Sequence, residues 1–275
     1  MNTMNTTKTA LAKKLGISRS SLYYHPKKPP KDQALKKAIE TVMGENPAYG
    51  YRRVALALSF GEEKVRRVMR KFGLRPRVRR ARRPVKPADL GQKELNKENI
   101  AIRLCPIGSN VVWAGDFTYF LFDGIFWYLA TVIDVFSREI VGWHIASHHT
   151  AALITEAFKD AVKRTKKTPT WFHSDQGSEY VSGIYELLLL GHGVIPSNSK
   201  KASPWQNGFQ ESFYSNFKLE LGNINRFNGV GELIEAIHRQ IAYYNGWRIH
   251  TALNMAPLTF RILHEQKTAV ITAVG

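Results

Sequence analysis

The feature that most limits what this chain can become is a set of three β-rich runs beginning near residue 109. "NVVWAGDFTYFLF", "IFWYLATVIDVF" and "EIVGWHIASH" succeed one another with little between them. Each is dense in the aromatic and β-branched residues that suit a pleated, half-buried surface. Asp123–Gly124 between the first two is a strong hairpin signal, because both residues tolerate positive φ. Only "SR" joins the second run to the third. Strands joined so tightly must run antiparallel. Beyond them helices and strands alternate: a helix over about 151–164, the short strand "TWFH", a helix near 178–190, a strand at "GVIPSNS", and long helices over about 206–221 and 230–245. This order predicts an α/β protein with a mixed sheet flanked by helices.

Charge divides the chain at the same place. Residues 1–108 carry 26 Lys and Arg against 8 Asp and Glu, whereas residues 109–275 carry 14 of each. All of the net charge of +18 therefore sits before the β-rich half. That segregation suits a polyanion-binding half beside a half with another task. Cys105 is the only cysteine, which excludes a disulfide framework and a cysteine metal cluster. No apolar run is long enough for a signal peptide core or a membrane span, so a cytoplasmic location is expected.

Within the basic half, residues 6–24 read as a helix, a turn at Gly16 and a second helix capped by Ser18, with Leu11, Leu15, Ile17 and Leu22 packing the pair. A helix–turn–helix would carry Arg19, Ser20, Ser21 and Tyr24 towards the major groove. A second such unit spans about 32–73, its last helix "EEKVRRVMRKFG" ending at Gly73 and presenting Lys64, Arg66, Arg67, Arg70 and Lys71. Arg52 and Arg53 precede it. Residues 75–87, "RPRVRRARRPVKP", contain Arg77, Arg79, Arg80, Arg82 and Arg83 and no apolar period. Phosphate binding needs no defined geometry, so this segment reads as an arm lying along a duplex. The expected divisions are 1–28, 29–74, 75–108 (arm and linker), 109–225 (catalytic core) and 226–275 (C-terminal helices completing it).

Three acids carry the chemical reading. Asp116 sits inside the first β-rich run, where an unpaired carboxylate is costly. Asp175 ends the fourth strand, which can lie beside the first; a turn-initiating role is the alternative. Glu211 lies on a helix whose Phe213, Phe217 and Leu221 form an apolar stripe, with Lys218 two turns further on. Two strands and a helix would then supply an oxygen-only site, suited to Mg²⁺ or Mn²⁺. Two such ions about 3.5–4 Å apart support in-line phosphoryl displacement. His173 reads as a packing residue, and Trp205 as a candidate for stacking on a base.

"WAGDFTYF", "VIDVFSREIVGW", "HSDQGSEY" and "WQNGFQESFYSNFKLE" resemble the catalytic core of DDE-type transposases and retroviral integrases, including the 35 residues between Asp175 and Glu211. "LGISRSSLYY", "NPAYGYRRVALAL" and "YYNGWRIHTALNMAPLTF" narrow the resemblance to OrfB-type transposases of the insertion-sequence-three family, over roughly 10–262. The resemblance implies a ribonuclease-H-like fold with Asp116, Asp175 and Glu211 as catalytic acids on two Mg²⁺, and Asn207 and Lys218 near the transposon end. It implies a structural role for Asp134 and a helical position for Glu179. Its implied partners are terminal inverted repeats and target DNA, further copies of the chain assembled on DNA, and an upstream helix–turn–helix/leucine-zipper protein fused by frameshift. The location it implies is the bacterial nucleoid. Two departures from the family pattern are Gln206 before Asn207 and Ile249 between Arg248 and His250. A nuclease or resolvase of the same fold, or a repressor with a dead core, are the competing readings.

Overall fold

The computed structural model describes residues 7–23, 28–78, 106–175, 177, 179–180, 182–198 and 208–274. Its centre is a five-stranded sheet of order β3-β2-β1-β4-β5. Strands β1 (Val112–Phe122), β2 (Ile125–Asp134) and β3 (Ile140–Ala146) form an antiparallel meander. Asp123 and Gly124 take φ of 51° and 74°, as a tight two-residue hairpin turn requires. Strands β4 (Trp171–Ser174) and β5 (Ile195–Asn198) add on the other edge of β1, both parallel to it. Parallel neighbours need a crossover; α5 (Ala151–Thr165) supplies the one before β4 and α6 (Gly183–Gly191) the one before β5. This is the ribonuclease-H-like mixed sheet that the resemblance implied.

Side chains alternate across the strands, so each face has its own core. Val112, Ala114, Leu129 and Ile133 pack under α7 (Gly208–Leu221) and α8 (Val230–Gly246), against Phe213, Phe217, Leu221, Leu233 and Ile237. Trp113, Ala130, Val132 and Val141 pack against α5 and α6. Helix α5 comes so close to β3 that a Cβ on Gly142 would lie 2.4 Å from the Ala161 nitrogen and 2.5 Å from the Ala157 oxygen. The apolar stripe expected on α7 is buried as the sequence indicated. A last helix, α9 (Pro257–Val274), completes the C-terminal region.

The second helical unit forms as expected. α2 (Lys28–Glu45), α3 (Tyr51–Leu58) and α4 (Glu62–Lys71) enclose a core of Leu35, Ile39, Val54, Val65, Val68 and Met69. Ser59 in the left-handed region stops α3, and Gly73 at φ 67° follows α4. The first unit departs from expectation. α1 (Lys8–Lys14) is followed, after Gly16, by a five-residue 3₁₀ turn, Arg19–Tyr23, rather than a second α-helix. Ser18 still caps it, its Oγ accepting from the Ser21 N–H at 3.2 Å. The Ser18 and Ser20 hydroxyls bond each other at 2.8 Å, and serine side chains that engage local polar groups weaken a helix. Leu11, Leu15 and Ile17 do not pack the unit together: all three are exposed, and Ala12 is the buried residue of α1. The segment is too short to enclose them.

Candidate active site

Strand parity puts the three acids on one side of the sheet. Asp116 continues the Val112–Ala114 series that faces α7, and Glu211 sits on α7 itself. The parallel ladder pairs Ala114 with His173. Continued by two residues, that register sets Asp175 beside Asp116. Asp175 stands just past the end of β4 with its side chain open to solvent. It serves the turn as well: its Oδ1 accepts from the Gly177 N–H at 3.0 Å. A Cβ on Gly177 would lie 3.0 Å from that oxygen and 3.2 Å from Oε2 of Glu179, so glycine there lets two acids approach each other.

The electrostatics agree with this placement. Burial, then the Asp175 charge and more weakly that of Glu211, push the Asp116 carboxyl up to about 7, against one backbone bond from Phe117 that favours the ionised form. Asp175 is raised as well, by the protein packed behind it and by Glu179, against the Gly177 bond. Burial and like charges raise a carboxyl in this way. Among the described residues no three acidic, histidine or cysteine groups already converge on one ligating point. The donors nevertheless suit a hard divalent cation: all are carboxylate oxygens, and the crowding is what a bound cation relieves.

Beneath Asp116 lies a polar network that sequence reading missed. Asp116 pairs across the strands with Thr131. Gln210, fully buried, donates to the carbonyls of Ala114 at 2.7 Å and Thr131 at 3.1 Å, and accepts from the Thr131 hydroxyl at 3.0 Å. One turn on, Tyr214 donates to the Asp116 carbonyl at 2.6 Å and lies 2.8 Å from the Thr131 hydroxyl. These bonds tie the first turns of α7, and with them Glu211, to the strand that bears Asp116. The available signal was a glutamine and a tyrosine four apart on the helix face that carries the apolar stripe.

The other singled-out residues fall out unevenly. Asp134 is structural: Oδ1 accepts from the Ser137 N–H at 2.7 Å and its hydroxyl at 2.8 Å, and Oδ2 from the Asn110 N–H at 2.6 Å. Glu179 is not on a helix; it precedes α6, which starts only at Gly183 behind the cap Ser182, and it is buried against His149 at 2.7 Å. His173 is buried, with Nδ1 3.1 Å from the Ser197 hydroxyl. Lys218 donates to the Tyr119 carbonyl at 2.9 Å, against the rings of Tyr119 and Phe120.

Of the basic residues, Arg19, Arg52, Lys64, Arg70 and Arg77 are exposed. Arg67 binds Asp32 through two bonds of 2.8 and 2.5 Å, and Lys71 bonds the same acid at 2.8 Å, so these two also hold α4 to α2. Arg53 turns out to be half-buried beside Tyr49 rather than displayed on the surface. Tyr24, Arg79, Arg80, Arg82, Arg83, Trp205 and Asn207 lie outside the described residues.

The departure at Ile249 lies in packing. Arg248 is buried and bonds Glu220 at 2.7 and 3.0 Å. The Ile249 N–H donates to the Tyr49 hydroxyl at 2.7 Å, and its side chain joins the core of the second helical unit.

Comparison with known proteins bears on the family to which the chain belongs. Residues 107–204 and 192–257 match two family models, each described as an integrase core domain. InsK of insertion sequence element IS150 from Escherichia coli K12 is 31% identical over 260 residues, which are 89% of this chain and 90% of that protein. The transposase for insertion sequence element IS904 from Lactococcus lactis is 40% identical over 147 residues, 53% of this chain and 58% of that one. Among solved structures, the magnesium complex of the HTLV-2 integrase catalytic core domain aligns over 56% of this chain and 98% of its own, at 16% identity and a TM-score of 0.46. The fold is that of a polynucleotidyl transferase of the DDE/integrase class. The chain belongs to the IS3-family transposases.

Proposed function

We propose that this transposase cleaves the 3′ ends of its own element and joins them to DNA by a two-metal mechanism, with Asp116, Asp175 and Glu211 as the catalytic acids. The observation that carries the reading is the β1–β4 register, which continued by two residues sets Asp175 beside Asp116, with Glu211 in the first turn of the helix over that face. Those three side chains would hold two Mg²⁺, with Mn²⁺ able to substitute; the bound pair would activate the attacking oxygen and stabilise the leaving one. Bound cations would favour the ionised form of Asp116, because they would reverse the sign of its surroundings. Gln210 and Tyr214 keep Glu211 in register with Asp116 while DNA loads. Water attacks first and frees the 3′-OH, which then attacks a second phosphodiester. No covalent enzyme intermediate and no ATP are needed.

In this reading the basic half grips the terminal inverted repeats. Arg19, Arg52, Lys64, Arg67, Arg70 and Arg77, together with the arm residues Arg79, Arg80, Arg82 and Arg83, meet phosphates, while Asn207 and Lys218 approach the end itself. Two ends must be held together, so the chain works as a homo-oligomer on DNA, in the bacterial cytoplasm at the nucleoid. No helix of the described residues is long and apolar enough to cross a membrane. The test is strand transfer on labelled end DNA with Mg²⁺. Joined product from the intact chain and none from Glu211→Gln is expected, and equal product from both would remove Glu211 from the site. Specific end binding without joining by the intact chain would indicate that the upstream reading frame is required.

A further inference from the structure

Of the three acids, Asp175 alone stands outside a strand or helix, so its place depends on what holds the chain just after β4. The β1–β4 ladder pairs residues only as far as Ala114 and His173, two short of Asp116 and Asp175. From the β5 side, Asn198 Nδ2 donates to the Asp175 carbonyl at 3.2 Å and to the Ser174 hydroxyl at 3.3 Å. On the other side the restraint comes from Glu179. Its backbone is fixed by the Ser182 hydroxyl, which donates to the Glu179 carbonyl at 2.8 Å. Its side chain is buried, and Oε1 meets Nδ1 of His149 at 2.7 Å. An ionised carboxylate only accepts, so Nδ1 carries the shared proton. Oε2 faces the other way, and Gly177 separates it from Oδ1 of Asp175 with too little room for a relaxed Cβ. The two acids repel: the Glu179 charge is one of the causes that raise Asp175. A bond from outside the segment is therefore needed to keep Glu179 against it.

His149 supplies that bond from the connection between β3 and α5, one residue ahead of the α5 N-cap Thr150. Its ring lies parallel to that of Phe117, with centroids 6.2 Å apart and 10° between planes, and 4.9 Å from the ring of Tyr128. Phe117 is the residue whose N–H donates to Oδ1 of Asp116, at 2.8 Å. One imidazole thus packs on the residue that steadies Asp116 and bonds the residue that abuts Asp175. It joins the two strands beyond the point where their ladder stops.

We propose that His149, acting through Glu179, is a positioning residue that sets the separation of Asp175 from Asp116. The proposal deepens the two-metal reading and rests on it. Neither His149 nor Glu179 is asked to touch a cation or DNA. Their link opposes the repulsion that would drive Asp175 and its neighbours outwards while the site holds no cation.

The test measures Mn²⁺ binding to the full chain without DNA, by electron paramagnetic resonance of the free ion, beside thermal midpoints of the cation-free chain. His149→Ala is expected to weaken binding by about 10–100-fold, the usual consequence of removing a group that orients metal ligands. His149→Asn, whose side-chain N–H falls near the place of Nδ1, should restore most of the affinity. Glu179→Ala should weaken binding at least as much, and adding His149→Ala to it should cost nothing further, because the two act as one unit. Unchanged affinity in His149→Ala with a lowered midpoint would make the link purely structural and overturn the proposal. Losses that multiply in the double variant would also overturn it, since His149 would then act independently of Glu179. Should His149→Ala fail to fold, because it leaves a buried acid unpaired, Glu179→Ala leaves no such acid and decides alone: undiminished affinity there overturns the proposal. Asp175→Asn separates the two levels of the argument. If Mn²⁺ binding survives that change, the functional reading falls and this inference with it. Binding that depends on Asp175 but is indifferent to His149→Ala removes the inference alone.

Discussion

Asp32 and Asp116 are both acids withdrawn from solvent, and the protein treats them in opposite ways. Asp32, in the helical unit, accepts from Arg67 and Lys71, and these bonds hold its carboxyl well below the usual carboxylate range. Asp116, in the core, has Asp175 and Glu211 for neighbours and is pushed up to about 7. One acid is neutralised by its own chain and serves as a tie between α2 and α4. The other is left among like charges, an arrangement that costs stability unless a cation arrives from outside. A carboxylate raised in this way is a candidate functional group, whereas a satisfied one serves architecture.

The sharpest way to break this comparison is to neutralise each acid in turn. Asp116→Asn should reduce strand transfer to background while raising the thermal midpoint of the cation-free chain at neutral pH. Loss of activity together with loss of stability would mean that Asp116 is structural after all. Asp32→Asn should do the reverse, lowering the midpoint of the helical unit because Arg67 and Lys71 lose their partner, and leaving the Mg²⁺ dependence of strand transfer unchanged. Differential scanning calorimetry beside the joining assay reads both.

A smaller effect probes how Asp116 is held. Gln210→Ala removes three buried hydrogen bonds, two to the Ala114 and Thr131 carbonyls and one from the Thr131 hydroxyl, at a cost of about 1 kcal/mol each. Denaturant melts should show that loss, and strand transfer should fall with it because Glu211 no longer keeps its register.

The smallest expected effects are in pH. A carboxyl raised in the fold contributes stability at low pH that disappears as pH climbs, so the cation-free chain should weaken between pH 3.8 and about 7 as Asp116 ionises. Saturating Mg²⁺ should flatten that decline. His250 works in the opposite direction: held at about 4 against an ordinary 6.5, it withdraws stability as pH falls through that window. The two windows overlap, so the contributions partly cancel and His250→Gln should steepen the decline with rising pH.

Much of the fold was legible because it was written locally. The Asp123–Gly124 turn, the three strands it organises and the α7 stripe of Phe213, Phe217 and Leu221 each rest on residues a few positions apart. Asp116 and Asp175 could be named because an acid inside or ending an apolar strand violates the local pattern. Local pattern misled where nothing distant backed it. Leu11 and Leu15 have helical spacing and Ile17 follows the Gly16 turn, yet no partner element among the described residues covers them, and the chain after Ser18 settles into a 3₁₀ turn. Arg53 and Arg67 read as surface cations like any others, although one is half-buried against Tyr49 and the other is bound to an acid 35 residues earlier.

By itself, then, the sequence determined the succession of strands and the segregation of charge, and it singled out the three acids proposed for the site, because periodicity, turn chemistry and composition are properties of neighbours along the chain. Only the tertiary structure decided which charges are compensated. Asp32 meets its cations from α4, Gln210 finds its carbonyls on two strands, and Arg53, Arg138, Arg248 and His250 gather from three separated segments. Electrostatic interaction falls with distance in space, and folding alone sets that distance.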